Sequence, residues 1–310
     1  MSSRAPILIT GSAGVIGSAL TDALEAIGET VVPLDLNARN RAHRGDVRNP
    51  EDVRRAISPC RGVIHLAAFS RVVWGERDPQ LCRSTNVDGT RSVIDAAIAS
   101  LRKPWVLFAS SREVYGQAAS LPATEETPLF PINEYGWSKV EGERIVQGAR
   151  EAGLKASVMR LSNVYGSSSD HRNRVIPAFV RAAMRGDTLR VDGSDRTFDF
   201  TYIDDTIQGL VALIGLLDRK PAPPPIHLTS GVPTRLGDLA ARVVDLARSN
   251  SRMIECAPQP FDCRHFHGDS QRAQSLIGWK ARVTLREGLA RFIQDLRNKT
   301  DFTRREATGS

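Results

Sequence analysis

The run Pro6-Ile-Leu-Ile-Thr10 breaks into Gly11-Ser12-Ala13-Gly14-Val15-Ile16-Gly17, and helical spacing of apolar residues follows from Ser18 to Ile27. This order of strand, glycine turn and helix constrains the fold more than any other feature of the chain. Glycine allows the tight turn, lets backbone approach a phosphate, and lets the helix pack closely on the strand. The helix N-terminus adds free N–H groups and the positive end of its dipole. Gly11, Gly14, Val15, Ile16 and Gly17 are therefore the candidate phosphate cradle. Glycines also serve plain turns, so the spacing needs its context.

The context is a repeating alternation. Thr30–Leu34, Gly62–Leu66, Trp105–Ala109 and Ala156–Leu161 read as strands with helical segments between them, Val87–Ser100 being the clearest helix. Alternation of this kind implies right-handed crossovers and an α/β fold with a doubly wound parallel sheet covered on both faces. Asp35 ends the second strand about 20 residues past the cradle, where a carboxylate accepts from ribose hydroxyls and repels a 2′-phosphate. That position selects NAD over NADP, with Arg39 nearby as the argument for NADP.

With 310 residues, of which 41% are hydrophobic, the chain has room for one large domain and a smaller companion. Beyond about residue 165 the alternation loosens. The reading assigns 1–165 and 197–220 to dinucleotide binding, 166–196 and 221–300 to a smaller C-terminal α/β substrate part, and 301–310 to a polar, frayed tail. Pro221-Ala-Pro-Pro-Pro225 is a stiff connection into a strand at Ile226–Thr229.

The net charge of +7 comes from dispersed arginines, which suits anionic ligands. With 6% aromatic residues and no recognisable nucleic-acid module, a nucleic-acid partner is not expected. The longest apolar stretch, Ile207–Leu217, is about half of what crosses a bilayer, so no membrane partner is expected. The four cysteines, 60, 82, 256 and 263, lack metal-ligand spacing and read as small buried hydrophobes. Reduced thiols and an N-terminus without signal-peptide zones lead to the expectation of a cytoplasmic protein with no metal.

Tyr135-Gly-Trp-Ser-Lys139 puts a phenol and an ammonium on one helical face. A nearby ammonium and a nicotinamide cation are expected to draw the phenol pKa toward neutrality, so that Tyr135 works as general acid and base. Together with the cradle, the chain carries Asp46-Val47, His65-Leu-Ala-Ala68, Asn86-Val-Asp-Gly-Thr90, Ser111-Arg-Glu-Val-Tyr-Gly116, Arg160-Leu-Ser-Asn-Val-Tyr-Gly166, Asp199-Phe-Thr-Tyr-Ile-Asp-Asp205 and Ile277-Gly-Trp279. In this order, from about residue 6 to 290, these segments resemble the extended short-chain dehydrogenase/reductase family, in particular its sugar-nucleotide epimerases and dehydratases with a Rossmann fold, such as the UDP-glucose 4-epimerases.

The resemblance implies that Asp46 and Val47 contact the adenine, that Leu66, Ala67 and Ala68 line the path to the nicotinamide, and that Asn86 sits near the cofactor or braces a loop. It implies that Ser111 bonds the substrate hydroxyl, that Lys139 also holds the nicotinamide ribose, and that Asn163 lies against the sugar or its diphosphate. Tyr135 would take a proton from the C4 hydroxyl as hydride leaves for NAD, which makes a C4 epimerase of a nucleotide sugar the first reading. A 4,6-dehydratase, a decarboxylase and a 4-reductase are the alternatives within the family; a non-catalytic NAD sensor or scaffold is the alternative outside it. A homodimer joined through two long helices is the family expectation.

Some relatives carry Asp-Glu after the active-site serine as acid and base; here the pair is Arg112-Glu113, so Glu113 is an additional acid/base or merely the ion-pair partner of a cation. Phe198 and Gln259 stand where relatives carry phosphate-gripping arginines, and Arg174 where many have asparagine. Arg174 and Arg196 are the candidates for holding the diphosphate, with Arg264 as a further one.

Overall fold

The computed structural model describes residues 4–308, with side chains through residue 299. Its strands are β1 (Ile7–Thr10), β2 (Val31–Leu34), β3 (Gly62–His65), β4 (Trp105–Ser111), β5 (Ala156–Leu161), β6 (Asn163–Tyr165), β7 (Leu189–Asp192), β8 (Thr197–Tyr202), β9 (Ile226–Leu228), β10 (Pro233–Arg235) and β11 (Met253–Cys256). Its helices are α1 (Val15–Ala26), α2 (Pro50–Ile57), α3 (Val72–Arg77), α4 (Pro79–Arg83), α5 (Gly89–Ala99), α6 (Glu134–Glu151), α7 (Val175–Arg185), α8 (Ile203–Arg219), α9 (Leu236–Ala247), α10 (Gln271–Ile277) and α11 (Leu285–Thr308).

Six strands form a parallel sheet in the order β2-β1-β3-β4-β5-β9. A lone parallel bridge between Asp35 and Arg44 continues the sheet one position past β2. The apolar runs alternate between two cores, as a sheet covered on both faces requires. Ile7 and Ile9 of β1 and Leu107 of β4 face the core under α1 and α8, whereas Leu8, Val106 and Phe108 face the core under α2, α5 and α6. Each fully buried side chain of this size contributes about 1.5–3 kcal/mol of transfer free energy, so strand register is set firmly wherever both faces are covered.

The chain crosses from β1 to β2 on one side and returns past β1 to β3 on the other. The crevice at the carboxyl ends of β1 and β3 is therefore the switch point, where ligands bind in sheets of this kind. Thr10, His65 and Ser111 end their strands on that edge.

Two smaller sheets accompany this frame among the described residues: β10-β8-β6, in which β8 pairs antiparallel with β10 and parallel with β6, and the parallel pair β11-β7. Asp199 of β8, fully buried, binds them to the main sheet by accepting from the N–H groups of Ser230 at 2.9 Å and Gly231 at 2.7 Å, just past β9. The backbone of α11 runs through Thr308, where the sequence reading has a frayed tail from 301; residues 309–310 lie outside the described residues. Between Leu289 and Thr308 there is no proline or glycine to stop it. Among the described residues no helix is long and apolar enough to cross a membrane.

Candidate active site

The glycine turn adopts the conformation its spacing anticipates. Gly11 has φ +71°, and a Cβ there would stand 2.7 Å from the Ala67 nitrogen, so any side chain would collide with the backbone that follows β3. At Gly17 an added Cβ would stand 2.8 Å from Ser12 Cα, inside the turn. Gly14 caps α1 without a side-chain hydrogen bond, and no acidic residue occupies the first turn. Open N–H groups at a positive dipole end thus face the crevice, which fits a pyrophosphate.

Asp35 closes the cradle from β2. Its carboxylate accepts from the N–H groups of Ala13 at 3.1 Å and Asn37 at 2.7 Å, and its backbone holds the strand-like segment at Arg44 and Gly45. Asp46 follows, gripped by the Arg48 guanidinium at 2.6 Å, whose hydrogen bond holds the carboxyl below its usual range. Val47 is buried in the core with Leu8 and Leu34. A dinucleotide therefore fits here by the chemistry of the donor set: amide N–H groups for phosphates, and a carboxylate for ribose hydroxyls.

The opposite wall is the loop after β3, with Leu66, Ala67 and Ala68 partly exposed along it. Its position is fixed by a relay the sequence reading missed. Ala67 N–H donates to Thr10 Oγ1 at 3.2 Å, Thr10 Oγ1 lies 2.7 Å from His65 Nδ1, and His65 Nε2 lies 3.1 Å from Thr90 Oγ1. Thr90 spends its proton on the Asn86 carbonyl at 2.6 Å. Thr90 must then accept from His65 Nε2–H, and Thr10 must donate to Nδ1, which fixes the neutral tautomer. Burial pushes this histidine down to about 3, with the Lys139 charge adding to the effect. The only available signal was a histidine ending an apolar strand.

Asn86, in a π-turn between α4 and α5, clamps the same loop. Its Oδ1 accepts from Phe69 N–H at 2.7 Å, while Nδ2 donates to Ser138 Oγ of α6 at 2.8 Å. Of the two roles open to this residue, bracing is the one these bonds describe.

Asn133 starts α6 by accepting from Gly136 N–H at 2.7 Å, which aims Tyr135 at the end of β4. The Tyr135 phenol hydrogen-bonds Ser111. Burial pushes the phenol up to about 12, while the Ser111 bond and the Arg174 charge pull it down. The Lys139 ammonium lies 5.8 Å from the Tyr135 ring centre and donates to the Ala109 carbonyl at 2.8 Å, and burial brings its own pKa down to about 8.

Glu113 is buried, and both its oxygens are occupied: Oε1 by Arg112 Nη2 at 2.7 Å, Oε2 by Asn133 Nδ2 at 3.0 Å. Asn163 accepts from Arg112 Nε at 3.4 Å and donates to the Asp199 carbonyl at 3.2 Å. Arg174, at the start of α7, is near enough to act on the phenol and pairs with buried Asp170 at 3.5 Å. Arg196 is buried, and its Nη1 donates to the carbonyls of Asp262 at 2.9 Å and Cys263 at 3.2 Å, pinning that loop. Arg264 is exposed. A contact unseen in the sequence joins the walls: Arg71, after β3, meets His171 Nδ1 at 2.5 Å and donates to the Asn173 carbonyl at 3.1 Å.

Residues 7–228 match the model of the NAD dependent epimerase/dehydratase family. The chain belongs to that family. It is 30% identical to a UDP-glucose 4-epimerase of Mycolicibacterium smegmatis, over 94% of this chain and 99% of that protein. A UDP-glucose 4-epimerase of Thermotoga maritima, solved with UDP-glucose, superposes with a TM-score of 0.88 at 25% identity, covering 95% of this chain and 99% of the other. MoeE5, solved with UDP-glucuronic acid and NAD, gives the same TM-score at 26% identity and the same coverage. The chain is an NAD-dependent enzyme of this family.

Proposed function

We infer that the chain is a C4 epimerase of a nucleotide hexose of the UDP type. The observation that carries the reading is the engagement of Glu113 by Arg112 and Asn133, which leaves Tyr135 as the acid/base of the Ser111, Tyr135 and Lys139 set. Epimerisation needs one such group, because a single proton leaves O4 and returns to it while the hydride leaves C4 and returns to it. Elimination across C5 and C6 needs a second one, free to take and give protons.

NAD, when bound, supplies the hydride acceptor and donor. Tyr135 removes the O4 proton through its phenol oxygen while Ser111 holds the same hydroxyl, and the C4–O bond becomes a carbonyl as C4–H is lost. Lys139 holds the nicotinamide ribose and keeps positive charge beside the phenolate. After the keto sugar turns over, Tyr135 returns the proton to O4, and the hydride that NAD would give back to the other face of C4 restores the alcohol with inverted configuration.

The complexes of the relatives with UDP-glucose and with UDP-glucuronic acid and NAD support a UDP-sugar substrate. Residues 1–165 and 197–220 hold NAD, with Asp46 and Val47 at the adenine, and 166–196 with 221–300 hold the sugar nucleotide, Asn163 and Arg174 at the sugar or diphosphate. The protein works as a cytoplasmic homodimer through α5 and α6, whose Ile98 and Trp137 are 42% and 46% exposed in the single chain.

The deciding experiment incubates the protein and NAD with UDP-glucose and UDP-galactose in deuterated water, followed by proton NMR. Interconversion of the two sugars without deuterium at C5 is expected. Label at C5, or loss of water, would replace epimerisation by elimination.

A further inference from the structure

Ser111 and Tyr135 stand on different elements, the end of β4 and the first turn of α6, and their side chains are hydrogen-bonded. A proton passes between such groups and a sugar hydroxyl only over hydrogen-bond distances, so the two elements must be held in register. One residue reaches both. The Glu113 N–H donates to Ser111 Oγ at 3.2 Å, and Glu113 Oε2 accepts from Asn133 Nδ2 at 3.0 Å. Asn133, 3% exposed, caps α6 with its Oδ1, two residues before Tyr135.

The cap depends on which end of the Asn133 amide faces the helix. An asparagine amide has one accepting and one donating end, and only the accepting end can cap. The donating end of Asn133 meets two acceptors, Glu113 Oε2 and the Phe261 carbonyl at 3.2 Å, and these select the orientation. The bond to the carboxylate is the stronger, because charge-assisted hydrogen bonds are roughly twice as strong as neutral ones. Glu113 cannot turn away: its Oε1 pairs with Arg112 Nη2 at 2.7 Å, and that guanidinium lies 4.5 Å over the centre of the Phe198 ring. The backbone agrees with the side chains. A Cβ on Gly136, next to Tyr135, would stand 2.6 Å from the Glu113 carbonyl oxygen, so the first turn of α6 is seated directly on this residue. The Glu134 N–H, on the other side of Tyr135 in the chain, donates to Glu76 Oε1 at 2.8 Å.

We propose that Glu113 is a positioning residue: through Asn133 it holds the first turn of α6 against the end of β4, and so sets the distance at which Tyr135 and Ser111 meet the sugar hydroxyl. It takes no proton itself. The proposal rests on Tyr135 being the acid/base of the reaction assigned above, and it gives the buried Arg112 and Glu113 pair a task in that reaction: to hold the carboxylate still.

The test is a double-mutant cycle in the NAD-loaded protein with Glu113→Gln, Asn133→Ser and both together, reading kcat and KM for UDP-galactose and UDP-glucose. Serine keeps an oxygen that caps the helix and loses the amide that reaches Glu113, so the fold is retained. Each single variant is expected to lose about tenfold or more in kcat, with KM and bound NAD unchanged. The double variant should lose no more than the worse single one, because both substitutions cut the same link. Losses that multiply, a loss in Glu113→Gln alone, a change in KM alone, or wild-type rates throughout overturn the assignment. The phenol is read separately, as the phenolate absorbance that Tyr135→Phe removes. Asn133→Ser leaves the Glu113 charge in place and loosens the Ser111 bond, which favours the phenolate, so the titration is expected at higher pH than in wild type. An unshifted titration overturns the assignment as well. If wild type turns over neither sugar while the titration moves as expected, the reaction assigned above fails and Glu113 keeps its role.

Discussion

Tyr135 is held in a state that does nothing alone. Its phenol is pushed up to about 12 by burial, and Lys139, brought down to about 8, is still mostly protonated at neutral pH. Burial disfavours the charged form of both groups, and a cationic ring bound beside them would favour the phenolate. Tyr135→Phe is therefore expected to lower the turnover rate by at least about 100-fold, while NAD measured in the purified variant stays at the wild-type level. Retention of wild-type rates would remove the phenol from the chemistry. The pair was legible in the sequence from its spacing on one helical face. The identity of the charges acting on Tyr135 was not: Arg174 arrives from the start of α7, and no spacing rule connects positions 135 and 174.

Between β1 and α1, the turn decides whether the crevice exists. An alanine at position 11 would need φ +71° and would press its Cβ on the backbone at Ala67 and Leu66. The strain of such a backbone position is on the order of 1–3 kcal/mol, and the wall after β3 must retreat to relieve it. Gly11→Ala is expected to lower stability to urea by about that amount and to weaken NAD binding at least tenfold, read by denaturation and by fluorescence titration. Wild-type affinity in a folded variant would show that the turn does not form the cradle. Strands β1 to β5 were legible because buried parallel strands are continuous apolar runs. Strand β11 was not, since Met253 to Glu255 are exposed and carry no alternation of buried and open positions.

Across the whole molecule, buried polar networks join elements far apart in the chain. Arg160 on β5 donates to Glu143 of α6 through Nε at 2.9 Å and Nη2 at 2.7 Å, and its Nη1 reaches the Tyr115 hydroxyl at 2.7 Å. Tyr115 bonds His227 Nε2, and His227 Nδ1 donates to the Asp269 carbonyl at 2.9 Å. Burial brings His227 down to about 4 and His65 to about 3, from an ordinary 6.5. As pH falls below 6.5 the unfolded chain takes up these protons first, so stability is lost between 6.5 and the folded values and is complete above 6.5. The His227 share is about 3 kcal/mol. Urea unfolding at pH 7 and pH 4 is expected to show a drop smaller by about that amount in His227→Gln; an equal drop in both proteins would place the acid sensitivity elsewhere. The sequence by itself determined the wound sheet, the glycine turn after β1, the place of Asp35 at the end of β2 and the pairing of Tyr135 with Lys139 on one helix, because periodicity and short spacings are local and their physics acts within a few residues. Only the tertiary structure decided that Glu113 is tied by Arg112 and Asn133, that Arg196 pins a loop while Arg174 reaches the phenol, and that Arg112 rests on Phe198. Those outcomes depend on which distant side chains share one low-dielectric space, and chain order does not encode that.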